Sequence, residues 1–194
     1  MTVRIAFVVY DGLTALDFVG AYDPITRVGT MGFREDVEWE VCGLSPTVTA
    51  TGGLTFETTV TDEPLDGYDA VVVPGGIGTT LPDDDHPVVS WLRTAEDCRY
   101  KISVCTGSLL LAAAGLLDGR RATTHPSAYE ALAERAAVTE RRVVRDGDVI
   151  TGGGVSSAVD VGLYFAELLT DAGTRDRIAE QMDYPHYRDD TGVS

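Results

Sequence analysis

The sequence predicts an α/β domain built around a largely parallel sheet. Short apolar runs alternate with longer helical segments along the chain, a pattern typical of strands joined by helices. The chain has 194 residues, which suits one domain with a sizeable core and is short for two. Hydrophobic residues make up 44% of the chain, which excludes a wholly disordered protein.

Apolar runs bounded by glycine, proline or aspartate predict the strands. The single strands are residues 5–10, 37–44, 70–73, 102–104 and 122–124. Two further stretches, 48–60 and 143–149, alternate polar and apolar residues around a Gly-Gly pair at 52–53 and an Asp-Gly pair at 146–147. Because such pairs favour tight turns, each stretch is predicted to be a β-hairpin.

Amphipathic or Ala- and Leu-rich segments predict the helices. In chain order they cover residues 17–28, 88–98, 106–117, 127–135, 156–169 and 174–182. Pro87 and Ser127 stand where they favour helix starts, whereas Pro24 predicts a break or a late start in the first helix. Residues 1–183 are therefore predicted to form a single domain, followed by a polar, mobile tail at 184–194.

The chain is strongly acidic. Asp and Glu total 31 against 15 for Lys and Arg, a formal net charge of −16, and Lys101 is the only lysine. This charge repels phosphate groups, so nucleic acids and anionic membrane surfaces are disfavoured as partners. A dispersed acidic surface with almost no lysine favours a halophilic cytoplasm, with an ordinary acidic domain from an Arg-rich genome as the alternative.

The apolar segments also bear on location. No apolar run reaches the roughly 18 residues that a membrane span requires. The N-terminal run is followed by no small-residue cleavage site, so it resembles a first strand rather than a signal peptide. The predicted location is therefore the cytoplasm.

Cysteine and histidine spacing argues against structural cross-links. The three cysteines, at 42, 98 and 105, form no disulfide framework and no CxxC motif. The three histidines, at 86, 125 and 186, are too dispersed for a metal motif. We therefore predict neither a metal ion nor an organic cofactor.

Cys105 lies where a short strand meets a helix, between small residues in the segment Ile102-Ser-Val-Cys-Thr-Gly-Ser108. This context resembles a nucleophile elbow, a sharp turn that lifts a reactive side chain out of the sheet. The positive end of the helix dipole favours a thiolate there, which predicts a lowered pKa for Cys105. The alternative is a small apolar cysteine buried at a strand end. Cys42 is predicted to lie in the core of a strand, and Cys98 to fill space near the end of a helix.

A glycine-rich loop follows the strand predicted at 70–73, with the sequence Pro74-Gly-Gly-Ile-Gly78. Glycines let backbone amides turn toward a ligand. We therefore predict that Gly75, Gly76 and Ile77 form an oxyanion hole or bind substrate. A second glycine run, at 152–154, lacks dinucleotide-binding spacing and is predicted to be structural.

These motifs, taken in order, resemble the ThiJ/PfpI superfamily, which is class I glutamine amidotransferase-like. The resemblance covers essentially the whole chain and rests on Gly12-Leu-Thr-Ala-Leu-Asp17, Val73-Pro-Gly-Gly76, Ser103-Val-Cys-Thr-Gly-Ser-Leu109, Ala113-Ala-Gly-Leu-Leu117, Ala122-Thr-Thr-His125, Arg142-Val-Val-Arg-Asp146, Thr151-Gly-Gly-Gly154 and Asp160. It implies a flavodoxin-like three-layer sandwich, with helices on both faces of a mostly parallel sheet, and a homodimer.

The resemblance also implies roles for individual residues. Cys105 corresponds to the reactive cysteine, and Asp17 to an acid beside its sulfur that remains protonated as a proton donor. Thr106 stands where the protease-like branch carries histidine, and Asp17 where the glyoxalase-like branch generally carries glutamate. Cys105, Thr106 and Asp17 together are the combination of the isonitrile-hydratase branch.

Two of these assignments have structural alternatives. Asp17 also stands where it would cap the first helix. His125 follows Cys105 at a spacing that brings a histidine near the thiol in several superfamily members. It either orients Cys105 or hydrogen-bonds the backbone in a strand-end turn.

The sequence thus predicts a cysteine enzyme that hydrates a small electrophile, with an isonitrile converted to an N-substituted formamide as the leading reaction. Cys105, Asp17, Thr106 and His125 are the predicted catalytic residues. One alternative is a glyoxalase-like enzyme or another hydrolase or lyase of small carbonyl compounds. Another is a non-catalytic domain, either an oxidative-stress sensor acting through Cys105 or a ligand-binding module like those fused to AraC-type regulators. The predicted partners are a small substrate and a second copy of the chain.

Overall fold

A seven-stranded β-sheet forms the centre of the computed structural model, which describes residues 2–76 and 80–185. The strands of the described residues are β1 (Val3–Val8), β2 (Val37–Gly43), β3 (Thr47–Thr49), β4 (Thr55–Glu57), β5 (Val60–Thr61), β6 (Ala70–Val73), β7 (Tyr100–Val104), β8 (Arg121–Ala122), β9 (Ala137–Val138), β10 (Val143–Asp146) and β11 (Val149–Gly152). The order across the central sheet is β10-β11-β7-β6-β1-β2-β5.

Neighbouring strands of this sheet are parallel, except for the antiparallel pair β10–β11. Strands β6 and β7 and most of β1 are buried, as expected for central strands that helices cover on both faces. The predicted mostly parallel sheet is therefore confirmed. Because parallel strands end at the same edge, the loops that follow β1, β6 and β7 meet there.

The helices form the two outer layers of the predicted sandwich. They are α1 (Ala15–Thr30), α2 (Pro87–Leu92), α3 (Gly107–Ala113), α4 (Tyr129–Leu132), α5 (Ala158–Leu169) and α6 (Ala172–Gln181), with 3₁₀ turns at Arg93–Ala95, Pro126–Ala128 and Val155–Ser157. Helices α1, α5 and α6 contact one another, and α2 and α4 both contact α3. The helices thus flank the sheet on both faces, as the flavodoxin-like fold requires.

The predicted break at Pro24 is wrong, because α1 continues through this residue to Thr30. Pro24 lies against Gly162 of α5, and a β-carbon at position 162 would collide with the proline ring. The missing side chain on α5 therefore provides the space that the ring needs. Tertiary packing here overrides the helix-breaking tendency of proline.

Other predicted elements differ in extent or pairing. The hairpin predicted at 48–60 is formed by β3 and β4, while β5 pairs with β2 at the edge of the central sheet. The helix predicted at 127–135 is a 3₁₀ turn followed by the short α4. The strand predicted at 122–124 is β8, whose partner β9 was not predicted. Both members of that pair are two residues long, too short to show a periodic pattern.

Three further findings concern the described part of the chain. No helix there combines the length and apolar character needed to cross a membrane. The three cysteines are free. The predicted mobile tail falls largely on residues 186–194, which lie outside the described residues.

Candidate active site

Cys105 sits in a sharp turn between β7 and α3, which confirms the predicted strand-to-helix geometry. Its φ is +55°, in the left-handed region that side chains rarely occupy. The Cys105 amide donates to the carbonyl of Gly152 at 3.0 Å. Its own carbonyl accepts from the hydroxyls of Ser108 at 3.2 Å and Thr124 at 3.1 Å. These three bonds hold the turn and fix where the sulfur lies.

Asp17 faces this turn from the first turn of α1. Its side chain is fully buried, and its Oδ2 accepts a hydrogen bond of 3.0 Å from the Gly75 amide. The other carboxyl oxygen, Oδ1, has no hydrogen-bond partner among the described residues. A buried carboxyl with one oxygen unsatisfied is costly as a purely structural element, which favours a chemical role. Thr14, not Asp17, is the N-cap residue of α1, so the capping alternative is wrong.

Gly75 lies between the two halves of the site. A β-carbon there would lie 2.7 Å from the Thr106 amide nitrogen and 2.8 Å from Asp17 Oδ2. These distances are shorter than real β-carbon contacts, so no larger residue fits without a shift of the loop. Glycine at this position therefore permits the close approach of the Asp17 loop to the Cys105 turn.

Thr106 contacts the Cys105 sulfur through both its amide and its hydroxyl. The hydroxyl oxygen also accepts a hydrogen bond of 3.0 Å from the Gly76 amide. The amides of Gly75 and Gly76 thus both have partners within the protein, so the predicted oxyanion role for these two residues would require them to exchange partners. Ile77, predicted as a third member of that loop, lies outside the described residues.

The predicted low pKa of Cys105 is wrong for the structure as it stands. Burial raises the pKa of the Cys105 thiol to about 11, and the Asp17 charge raises it further, against opposing contacts with Thr106. Burial also raises the pKa of Asp17 to about 6, against the lowering effect of its contacts with Gly75 and Cys105. The short α3, seven residues long, does not offset burial.

The two raised values describe a coupled pair. Between a pH of about 6 and about 11, Cys105 and Asp17 together hold one proton and one negative charge. Moving that proton from sulfur to carboxyl gives a thiolate beside a carboxylic acid. The pair can therefore supply a nucleophile and a proton donor at once.

His125 hydrogen-bonds the backbone of its own turn, which is the structural alternative predicted for it. Its Nδ1 accepts a hydrogen bond of 3.3 Å from the Ser127 amide and lies 2.6 Å from the Ser127 hydroxyl. His125 thereby caps the 3₁₀ turn at Pro126–Ala128. The neighbouring Thr124 is the residue of this segment that bonds the Cys105 backbone. The bonds to Ser127 favour the structural alternative for His125, and its catalytic role stays a prediction.

The sequence did not predict Tyr10 as a site residue. Its side chain is 6% exposed, and its hydroxyl donates to the Pro74 carbonyl at 2.8 Å. Burial and the charges of Asp17 and Cys105 raise its pKa well above the ordinary value, so the phenol stays protonated. Tyr10 lies two residues after the end of β1 in an apolar run, so the sequence gives it no signal beyond that of a strand residue.

Among the described residues, one cavity is lined by Tyr10 of the site and another by Leu16, the chain neighbour of Asp17. One, of about 220 Å³, is lined by Tyr10, Asp11, Leu44, Ser45, Val48, His86, Pro87 and Val88. The other, of about 400 Å³, has mainly apolar walls and is lined by Leu16, Arg142, Val155, Ser156, Ala158, Val159 and Tyr184. Its wall residue Leu16 precedes Asp17 in α1, but Leu16 is 55% exposed whereas Asp17 is fully buried, so the two side chains lie on different faces of the helix.

An ion pair supports the wall of the larger cavity. Asp160, which is 1% exposed, accepts from Arg142 Nε at 2.6 Å, and the Tyr184 hydroxyl lies 3.3 Å from both of its carboxyl oxygens. Arg142 also donates to the Ser156 carbonyl at 2.8 Å.

Within residues 2–76 and 80–185, no group of three or more metal-ligating side chains could hold a metal ion.

The fold and the site define a flavodoxin-like domain with a cysteine at a strand-to-helix elbow and a buried acid facing it. The chain belongs to the DJ-1/PfpI family, whose model matches residues 3–168. It is 36% identical to isonitrile hydratase from Pseudomonas putida over 186 residues, which cover 95% of this chain and 79% of that protein.

Two further relatives show the breadth of the family. The HTH-type transcriptional regulator CdhR from Pseudomonas aeruginosa is 32% identical over 162 residues, 81% of this chain and 48% of that protein. The chain thus spans about half the length of that regulator. The crystal structure of a ThiJ/PfpI family protein from Pseudomonas syringae matches with a TM-score of 0.80 and 32% identity, over 97% of this chain and 78% of that one.

Proposed function

We propose that the chain is a hydratase of small electrophiles that converts isonitriles to N-substituted formamides. The observation that carries the proposal is the buried carboxyl of Asp17 beside the buried Cys105, with one carboxyl oxygen that has no hydrogen-bond partner among the described residues. Burial raises the pKa of both groups. The 36% identity to isonitrile hydratase supports the choice of substrate. The cavity of about 220 Å³ that Tyr10 lines offers room for a small organic substituent.

The first step uses the proton that the pair holds. At neutral pH the proton lies on Cys105, so it first moves from the sulfur to the Asp17 carboxylate. Asp17 then gives this proton to the terminal carbon of the isonitrile, and the Cys105 thiolate forms a carbon–sulfur bond to the same carbon. The product is a thioimidate, and Asp17 is left as the carboxylate. The Thr106 amide and hydroxyl, which contact the sulfur, stabilise the thiolate before attack.

The second step consumes water. The Asp17 carboxylate takes one proton from a water molecule, whose oxygen bonds to the thioimidate carbon, and the other proton goes to the nitrogen. The carbon–sulfur bond then breaks and releases the formamide and the thiolate. Asp17 is again protonated, so the pair returns to its starting charge and no external redox partner is needed.

The test is a turnover assay with cyclohexyl isonitrile in molar salt, following formamide production. We expect Cys105→Ala and Asp17→Asn each to lower turnover by about 10³-fold or more while the fold is retained. Cys98→Ala, which removes another buried thiol, is the matched control and should keep wild-type turnover. An active Cys105→Ala, or an inactive wild type that is folded and reduced, would overturn the proposal.

The similarity to CdhR supports a second candidate, a domain that binds a small ligand without turning it over. This candidate predicts that added cyclohexyl isonitrile raises the midpoint of thermal unfolding while no formamide forms. Under the hydratase proposal, the isonitrile is consumed by the wild type.

A further inference from the structure

Two hydrogen bonds at the site act on opposite sides of one peptide unit. The Tyr10 hydroxyl donates to the Pro74 carbonyl at 2.8 Å, and the Gly75 amide donates to Asp17 Oδ2 at 3.0 Å. The Pro74 carbonyl and the Gly75 amide belong to the same planar peptide group. A rotation of that group that broke one bond would therefore disturb the other.

The surroundings leave this peptide little freedom. Tyr10 is 6% exposed and Asp17 is fully buried, so water does not readily replace either bond. The loop is also closely packed, because not even a β-carbon fits at Gly75 between Asp17 and Thr106. Hydrogen bonds in series through a peptide polarise one another, so a donor on the carbonyl makes the amide a stronger donor.

We propose that Tyr10 is a positioning residue: its hydroxyl holds and polarises the Pro74–Gly75 peptide so that the Gly75 amide is directed at the Asp17 carboxylate. Tyr10 acts on Asp17 only through this peptide. Its role is to set how readily Asp17 releases the proton that the site uses. Among the described residues, the titratable groups that interact with Asp17 are Tyr10, after β1, and Cys105, after β7.

The test follows the ionisation of Asp17 directly. Carbon-13 NMR of the aspartate carboxyls is recorded against pH, and the Asp17 signal is assigned as the one missing from Asp17→Asn. In Tyr10→Phe the Gly75 amide becomes a weaker donor, so the Asp17 midpoint should rise by roughly 0.1–0.7 pH unit, the size expected when a hydrogen bond to a charged group is weakened by about 10–30%. The ring remains, so the adjoining cavity keeps its wall.

Tyr68→Phe is the matched control. Tyr68 is also a buried tyrosine beside a cysteine, with its hydroxyl 3.4 Å from Cys42 Sγ and bonded to Glu40. It has no part in the Pro74–Gly75 peptide, so its removal should leave the Asp17 midpoint unchanged. An equal shift in both variants, or no shift in Tyr10→Phe, would overturn the proposal.

A second variant tests the same bond in the opposite direction. Placing 3-fluorotyrosine at position 10 makes the phenol a stronger donor without removing it, so the Asp17 midpoint should fall. This variant decides the question if Tyr10→Phe does not fold, and an unchanged or raised midpoint would contradict the proposal.

The proposal rests on the proposed function only for the use of the Asp17 proton. Because the NMR titration contains no isonitrile, a failed turnover assay leaves it intact.

Discussion

At the scale of single residues, Cys105 combines backbone strain with candidate chemistry. A φ of +55° costs an L-amino acid on the order of 1–2 kcal/mol relative to ordinary conformations. The bonds to Gly152, Ser108 and Thr124 hold the residue in this conformation. Strain that surrounding bonds maintain is typical of functional turns.

This strain gives a stability prediction. Because glycine adopts positive φ freely, we expect Cys105→Gly to be more stable than Cys105→Ala by about 1 kcal/mol. Urea unfolding of both variants measures the difference. At Cys98, which is buried and is not among the positive-φ residues, the same pair of substitutions should give the reverse order. The same order at both positions would contradict the interpretation.

The site residues differ in how visible they are in the sequence. Cys105 could be predicted because its strand, small neighbours and helix are all local. Asp17 is predicted only from the family resemblance, since it lies 88 positions before Cys105 and no local signal links it to the thiol. Tyr10 was missed because its partner, Pro74, is 64 residues away and contributes only a backbone carbonyl. Such a contact depends on the order of strands in the sheet.

At the scale of elements, the close packing of α1 on α5 supports the acid. Gly20 of α1 lies against Ala158, and Gly162 of α5 lies against Pro24 and the Ala21 carbonyl. Both glycines remove side chains at the crossing, so the helices approach closely and α1 holds Asp17 at the sheet edge. The alternation of strands and helices predicted most elements, whereas the uninterrupted α1 depends on this contact, which no local pattern shows.

The crossing predicts a coupled mutant pair. Gly162→Ala should destabilise the fold by about 1–3 kcal/mol, because its β-carbon meets Pro24 and lies 2.8 Å from the Ala21 carbonyl oxygen. Pro24→Ala removes the ring atom that takes part in that clash. The double variant should therefore lose less stability than the sum of the losses in the two single variants. Thermal unfolding of the four proteins measures the coupling. Strictly additive losses would show that the two residues do not clash.

At the scale of the whole molecule, the net charge of −16 dominates the surface. Several arginines are paired with acids, such as Arg34 with Asp36 at 2.7 Å, but acids outnumber bases by about two to one. The repulsion that remains is screened as salt rises, with a Debye length of about 10 Å near 0.1 M and about 3 Å near 1 M. The halophilic setting, the cytoplasmic location and the homodimer stay predictions.

Salt should therefore stabilise the fold. We expect the thermal midpoint to rise by a few degrees or more between about 0.1 M and about 1 M KCl, because screening relieves self-repulsion. A control variant with Glu96→Gln, Asp97→Asn and Glu134→Gln replaces three exposed carboxylates by neutral amides. It should be more stable than the wild type in low salt and gain less from KCl. A wild-type midpoint that is constant or falls with KCl would refute the screening argument.

The burial of Cys105 has a consequence for the shape of its reactants. The residue is 6% exposed, so little of its surface is open to a reactant from solvent. An isonitrile carries its reactive carbon at the tip of a linear group only two atoms long, with the bulk of the molecule behind it. A carbonyl compound is trigonal at the reacting carbon and presents its substituents sideways. If the proposed function holds, we expect a reactant with a rod-shaped head group to reach this buried residue more readily than one that is branched at the reacting carbon.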